Sequence, residues 1–367
     1  MPISPAARAE AARLFTAFQQ AGAQPVETDI LQPADTLLDL YGEDIRSRAY
    51  VTWDPLRGEM MLRPDFTVPV VQMHMAHGAD PARYCYMGEV FRRQDHAGPR
   101  ASEYLQVGYE VFARDTPETV EAEVFALFDD LLTPLRPRAA MGDIGLLVAA
   151  VDGLSATPRR KAALMRHIWR PRRFRALLDR YAGCVPAPPA RLKLLERLAT
   201  GRPADLMAQA GPALGLRDPW EIAERATALL EDAATPNIPA READLIDDLL
   251  RLSAPAPAAL ERLMDLGVDM PAIRPAVDRL ATRLAALEQA GVWLSQVTFE
   301  PNHGRTTLEY YDGFVFSFHS DRPGLPPVAS GGRYDALTRV LGQGREIPAV
   351  GGIIRPGVVA SLKGAPA

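Results

Sequence analysis

The chain has 367 residues, of which 47% are hydrophobic and 24% charged, with a formal net charge of −5. That is the balance of a soluble protein with room for two domains, and it excludes a generally basic nucleic-acid coat. No apolar run is long enough to span a bilayer, no signal-peptide segment opens the chain, and two cysteines, Cys85 and Cys184, make neither a disulfide framework nor a metal site, so a reducing cytoplasm is expected.

Ser4-Pro5 predicts a helix start, a capping side chain followed by proline at the first helical position. Ala7, Ala11, Leu14, Phe15 and Phe18 then form one apolar stripe, ending near Gly22. Residues 25–33 read as an extended, proline-bounded segment. Residues 49–54 and 60–63 read as strands around a turn containing Pro55 and Gly58. Residues 67–77 read as a helix that places His74 and His77 at i, i+3; no third ligand stands nearby, and no metal is expected. Residues 83–92 read as the next strand.

From Leu105 to Val111 the side chains alternate. Leu105, Val107, Tyr109 and Val111 share one face, and Gln106, Gly108 and Glu110 the other. The second face reads either as a solvated strand surface or as a groove with polar ends for a small ligand, since glycine inside a strand marks close approach. Thr116-Pro117-Glu118 starts a helix with Val120, Val124, Leu127, Phe128 and Leu131 as its buried stripe. Gly142-Asp143 introduces an apolar helix. Strand signals then nearly vanish, and leucines recur at helical spacing in segments broken by proline or glycine. Arg159-Arg160-Lys161, with Arg170, Arg172, Arg173 and Arg175, reads as a solvated helix face or as a surface for RNA or an acidic partner. From Val292 strands return at 297–300 and 308–319. Ser330 to Asp335 reads as a glycine-rich turn before a helix ending near Gly342; 349–354 reads as a buried strand and 356–362 as a final helix. The expected organisation is a β-rich domain from residues 1–145 and 291–367, interrupted by a helical insertion over 146–290.

Phe91-Arg92-Arg93-Gln94 and the run GPRASEYLQVGYEVF ending at Phe112 resemble the second signature motif of class II aminoacyl-tRNA synthetases, and more narrowly the histidyl branch. Leu62-Arg63-Pro64-Asp65-Phe66-Thr67, Leu308-Glu309-Tyr310-Tyr311 and Gly331-Gly332-Arg333-Tyr334-Asp335 fit the same branch, so the resemblance covers essentially the whole chain. It implies an α+β fold, an antiparallel sheet flanked by helices with a helical insertion, and it places residues 25–33 in the first motif, with Pro33 near a homodimer interface; a proline-bounded edge strand is the other reading. It also implies a histidine pocket. Asp65 and Thr67 would hold the amino group, Gln106 and Glu110 the amino group and the imidazole, with Tyr311, Tyr334 and Arg92 completing the set. A carboxylate holds an ammonium by charge-assisted hydrogen bonds, and a glutamate with a tyrosine hydroxyl can hold both imidazole nitrogens.

The departures from a synthetase are equally specific. Gln94 replaces the acid after the second-motif arginine. Thr306 stands where an arginine acts on the reacting carboxylate, and Arg305, one residue away, points to the opposite face of a strand. Val358 occupies the third-motif arginine position, with Arg355 three residues early. Cations that stabilise charge on ATP are thus missing or displaced, and no anticodon-binding domain is expected after the third motif. This combination resembles the regulatory subunits of ATP phosphoribosyltransferase. That resemblance implies a chain with no catalytic residue and no cofactor of its own, L-histidine as effector, and the short-form catalytic subunit as partner, without nucleic acid or membrane. The alternatives are an active or minimal histidyl-tRNA synthetase, against which Thr306 and Val358 speak, and an RNA- or amino-acid-sensing module, against which the acidic charge speaks.

Overall fold

The computed structural model describes residues 3–41, 45–94, 101–209, 218–305 and 311–364. Ser4 caps the first helix, Pro5–Gln20, by accepting a hydrogen bond from the Ala7 amide at 3.1 Å. Ala7, Ala11, Leu14 and Phe18 are buried along it, and Gly22 follows it at φ +89°, a left-handed conformation suited to glycine.

Among the described residues twelve strands follow in chain order: β1 (Gln24–Pro25), β2 (Leu31–Pro33), β3 (Val51–Asp54), β4 (Gly58–Leu62), β5 (Ala82–Phe91), β6 (Glu103–Phe112), β7 (Arg138–Asp143), β8 (Ala254–Pro255), β9 (Val297–Phe299), β10 (Phe314–His319), β11 (Ala329–Arg333) and β12 (Ala349–Ile354). Nine of them form one sheet in the order β1-β5-β6-β12-β11-β10-β7-β9-β8. The run from β5 to β7 is antiparallel throughout; β1 and β9 join it as parallel neighbours of β5 and β7. β2, β4 and β3 make a separate three-stranded antiparallel sheet.

Each face of the large sheet is covered by different elements. On one face Tyr109 of β6 meets Phe18 at 5.3 Å, and Phe125 of the Pro117–Leu132 helix meets Phe316 and Phe318 of β10 at 5.5 and 5.2 Å. On the other, Val315, Tyr84 and Tyr86 pack in one core with Phe66, Val70, Val71 and Met75 from the Thr67–His77 helix and its start, and with Leu337 of the Asp335–Leu341 helix. The alternation read along β6 therefore separates a core face from a site face.

Several expectations differ from the structure. The buried stripe of the Pro117–Leu132 helix runs through Glu121, Phe125 and Leu132 rather than Leu127 and Leu131. The helix is turned so that Glu121 points inward, where Arg283 and Arg333 pair with it. Residues 138–143 form a strand, β7, before the apolar Ile144–Asp152 helix. The glycine-rich segment at 330–333 lies within β11 rather than in a turn. A Cβ at Gly331 would overlap the Gly351 carbonyl and the Phe316 ring, so close strand packing accounts for that glycine. Of the strand expected at 308–319, the part Phe314–His319 is observed; Thr306, Leu308, Glu309 and Tyr310 lie outside the described residues.

The expected insertion over 146–290 divides. Ala150–Asp248 form one compact unit, and Met1–Ala149 with Leu249–Ala367 form the other. In the Ala150–Asp248 unit, Arg160 is buried and tied to Asp232 at 2.7 Å and to the Pro236 carbonyl. The Ala256–Asp269 and Arg274–Gln289 helices belong to the sheet-bearing unit. Arg283, 2% exposed, reaches Glu121 at 2.5 Å and Asp143 at 3.0 Å. Breaking a buried pair strands an uncompensated charge, whereas an exposed pair contributes little. Glu121→Ala is expected to destabilise the protein by about 3–5 kcal/mol, whereas Arg8→Ala, which loses only the exposed pair with Glu89, changes stability by less than about 1 kcal/mol; urea unfolding of both variants checks the contrast.

Candidate functional site

Glu110 lies at the centre of the site face of β6 and is 1% exposed. Its Oε2 accepts from the Tyr334 hydroxyl at 2.6 Å, and its Oε1 from the Tyr86 hydroxyl at 2.8 Å and the Thr67 hydroxyl at 3.3 Å. Burial pushes its pKa up to about 7; the hydroxyls oppose that rise and the nearby Asp65 charge adds to it. Burial also pushes the Tyr334 phenol well up, so it stays a donor.

Local structure explains why these groups converge. Thr67 opens its helix directly behind Phe66 and Asp65. Tyr334 follows β11, and the Tyr334 amide donates to the Ala349 carbonyl of β12 at 3.0 Å. Asp312 accepts from the Asp335 and Ala336 amides at 3.1 and 2.5 Å, and the Asp335 carboxylate accepts from the Ala349 amide at 2.8 Å. Arg333 pairs with Glu121 and Asp335 on either side. The Gly-Gly-Arg-Tyr-Asp segment is thus pinned by charges that leave only the Tyr334 ring facing Glu110.

Thr67, Glu110 and Tyr334 are in direct contact, and Asp65 lies close enough to act on Glu110 electrostatically. Tyr311, 3% exposed, packs with its ring 6.2 Å from that of Tyr334. Gln106 is 1% exposed on the same face of β6, and its Oε1 has no hydrogen-bond partner among the described residues. Arg92 is anchored by an Nε donation to the Pro64 carbonyl at 3.0 Å, which sets it beside Asp65.

The groove expected over Gly108 is not open. Tyr86 stands opposite Gly108 in the β5–β6 register, and a Cβ on Gly108 would overlap its ring. Phe66 stacks on Tyr86 at 4.4 Å, and the Arg63 guanidinium lies 4.0 Å over Phe66. Sequence reasoning missed Tyr86, Phe66 and Arg63 as parts of the site. The available signal was pairing: a glycine in the middle of one strand of a hairpin makes room for the residue facing it. Gly351 belongs to the same device, because a Cβ there would overlap the Glu110 carboxylate.

The residues considered for ATP chemistry are placed differently. Arg305 is buried, and burial pulls its guanidinium down to about 10. Arg355 donates to the Pro327 carbonyl at 2.7 Å and precedes the Pro356–Lys363 helix that carries Val358. Gln94 donates to the Arg92 carbonyl at 3.1 Å. His74 is buried and His77 exposed, and among the described residues no group of three His, Cys, Asp or Glu side chains could hold a metal ion. What remains at the centre is a pair of carboxyl groups with hydroxyl donors, suited to a small ligand carrying an ammonium or an imidazole.

This is the architecture of the class II synthetase fold in its histidyl form, and the sequence matches the histidyl-tRNA synthetase family over residues 4–219 and 220–356. The structure superposes on an ATP phosphoribosyltransferase regulatory subunit/histidyl-tRNA synthetase from Bacillus halodurans with a TM-score of 0.69 at 20% identity, covering 98% of this chain and 79% of that one. It superposes on a histidine–tRNA ligase subunit from Alicyclobacillus acidocaldarius with a TM-score of 0.58 at 25% identity, covering 97% and 92%. Among curated relatives, the ATP phosphoribosyltransferase regulatory subunit of Agrobacterium fabrum is 32% identical over 93% of each chain, and that of Brucella anthropi 30% over 90% of each. The chain belongs to the ATP phosphoribosyltransferase regulatory subunit family.

The raised Glu110 pKa fixes the sign of a pH effect. The folded value, about 7, lies above the ordinary 4.5, so the native state holds the proton more tightly than the unfolded chain. This stabilisation is complete below about pH 4.5 and is lost as pH rises through about 7; it amounts to about 3 kcal/mol. Glu110→Gln, which stays uncharged, is expected to flatten the loss of stability between pH 5 and 7.5 relative to the parent, read as thermal midpoints across that range.

Proposed function

We propose that this chain is a non-catalytic, cytoplasmic subunit that binds L-histidine at the Glu110 centre and assembles with the short-form catalytic subunit of ATP phosphoribosyltransferase. The catalytic subunit depends on it for activity, and histidine lowers that activity through it. The observation that carries the reading is a fully buried carboxylate, held by the Tyr334, Tyr86 and Thr67 hydroxyls beside a second carboxylate, in a chain whose relatives bear the regulatory name across nine-tenths of their length. Glu110 with Tyr334 takes the imidazole, Asp65 with Thr67 and Gln106 the amino group, Arg92 the carboxylate, and Tyr311 closes the side. Entry of the ligand requires Tyr86 to yield its place over Gly108. Histidine inhibits because the less active state of the complex binds it more tightly, as linkage demands.

A homodimer through the first-motif region accompanies this reading. Pro33 and β3 belong to the same small sheet, where Val51 and Trp53 of β3 are 44% and 73% exposed and Leu56, in the turn that follows, 96%. An edge strand carrying such side chains is otherwise an aggregation hazard. Trp53→Asp is expected to shift the sedimentation coefficient toward the monomer; an unchanged value sinks this interface.

The decisive experiment measures phosphoribosyl-ATP formation from ATP and phosphoribosyl pyrophosphate with this chain, the short catalytic chain, both, and both with histidine. Activity only in the mixture, suppressed by histidine, is expected. Glu110→Ala should keep the stimulation and weaken histidine inhibition at least tenfold. Histidine-dependent pyrophosphate exchange by this chain alone would revive the synthetase reading.

A further inference from the structure

We propose that a cavity at the far end of the Thr67–His77 helix binds a small oxyanion and is linked to the Glu110 centre. The cavity, of about 140 Å3, is lined by His74, His77, Gly78, Arg114, Arg345 and Ile347, among others. A cavity of about 150 Å3 accepts benzene, so this one admits inorganic phosphate or a short carboxylate but not a whole nucleotide.

The chemistry of the lining selects an acceptor-rich guest. Backbone acceptors around the cavity are already in use. The Met75 carbonyl accepts from Arg345 Nη2 at 2.9 Å, the Gly342 carbonyl from Arg345 Nε at 3.4 Å, and the His74 carbonyl from the Gly78 amide at 2.6 Å. Of the carboxylates beside Arg114, Asp80 is engaged by Arg114 Nε at 2.8 Å, and Glu346, whose charge Arg114 also feels, is paired with Arg339. The donors are in surplus: Arg114 keeps its Nη groups and Arg345 its Nη1.

His74 supplies the independent observation. It is 1% exposed, and its Nε2 has no hydrogen-bond partner among the described residues. Its ring is stacked on Phe112 at 3.9 Å, and its Nδ1 lies 3.2 Å from the Tyr84 hydroxyl. Burial disfavours the imidazolium and keeps the Tyr84 phenol protonated, so the ring carries one hydrogen. We assign it to Nε2, because the Tyr84 O–H then donates to Nδ1. A buried N–H without an acceptor costs roughly 1–3 kcal/mol; Nε2 is closed off from open space, so an anion held by the two guanidinium groups satisfies it only by drawing the imidazole ring over.

The linkage, which rests on the histidine reading, follows from the elements shared by the two sites. The Thr67–His77 helix begins at a Glu110 donor and ends at the cavity. The Asp335–Leu341 helix begins beside Tyr334 and leads into Arg345. On β6, Phe112 stacks on His74 two residues after Glu110. An ion that draws Arg345 and His74 together moves the ends of elements whose beginnings touch Glu110.

The test is titration calorimetry on the full chain with inorganic phosphate, pyrophosphate and acetate as separate arms, at constant ionic strength made up with chloride. Phosphate or acetate is expected to bind in the millimolar range or tighter, and whichever arm binds identifies the source as a phosphoryl or a carboxylate group. Arg114→Gln, whose side chain is 60% exposed and so leaves the fold intact, and Arg345→Gln should each weaken binding at least tenfold. No binding in any arm, or equal binding by both variants, overturns the site. Glu110→Gln should retain phosphate binding, which separates failure here from failure of the histidine pocket. The histidine Kd should change at least threefold with the anion bound; an unchanged Kd overturns the linkage.

Discussion

The structure depends on one buried carboxylate on the side of the sheet opposite Glu110. Glu121 receives Arg283 from a helix that follows the Ala150–Asp248 unit in sequence and Arg333 from the end of β11. A lone carboxylate in that position would be driven to protonate, yet two guanidinium groups hold its pKa below the ordinary value despite complete burial. The clamp joins three elements distant in sequence and sets the orientation of Tyr334, the residue after Arg333. A strong ion network on one face thus positions a carboxylate held only by hydroxyls on the other.

The two buried glutamates show how environment divides roles. Glu121 has cations and stays charged; Glu110 has hydroxyls and is poised near neutrality. Charged partners lock a structure, while hydroxyl partners rearrange at little energetic cost. The family's relation to synthetases becomes physically intelligible here. The part of the site proposed to recognise an amino acid relies on short, local contacts around Glu110, while arginines such as Arg305 and Arg355 are engaged in other surroundings.

Much of this was legible in the sequence. The Ser4-Pro5 cap, the alternation in β6 and the grouping of Thr67, Glu110 and Tyr334 all follow from local rules or from motif resemblance. Tyr86 was not legible, because its role arises from cross-strand register with Gly108, a relation between residues 22 positions apart. The glycines of β11 misled because glycine signals a turn as readily as a crowded strand. The stripe of the Pro117–Leu132 helix was misread because apolar periodicity gives no weight to a glutamate, and Glu121 is buried by its partners rather than by hydrophobicity. The helical stretch looked uniform in composition, whereas the structure divides it at Asp248, where chain contacts rather than residue types change.

The sheet order also has a consequence for synthesis. β12, residues 349–354, lies between β6 and β11, so the strand bearing Glu110 gains its second neighbour only after some 240 further residues have been made. Until then, β6 leaves the ribosome with an unpaired edge and a buried-type glutamate facing water. Pairing across some 240 residues makes closure slow, and an edge left open for that interval is prone to wrong pairing. The Ala150–Asp248 unit, whose longest ties such as Arg160 to Asp232 span fewer than 100 residues, can be complete well before the sheet that flanks it in sequence has closed.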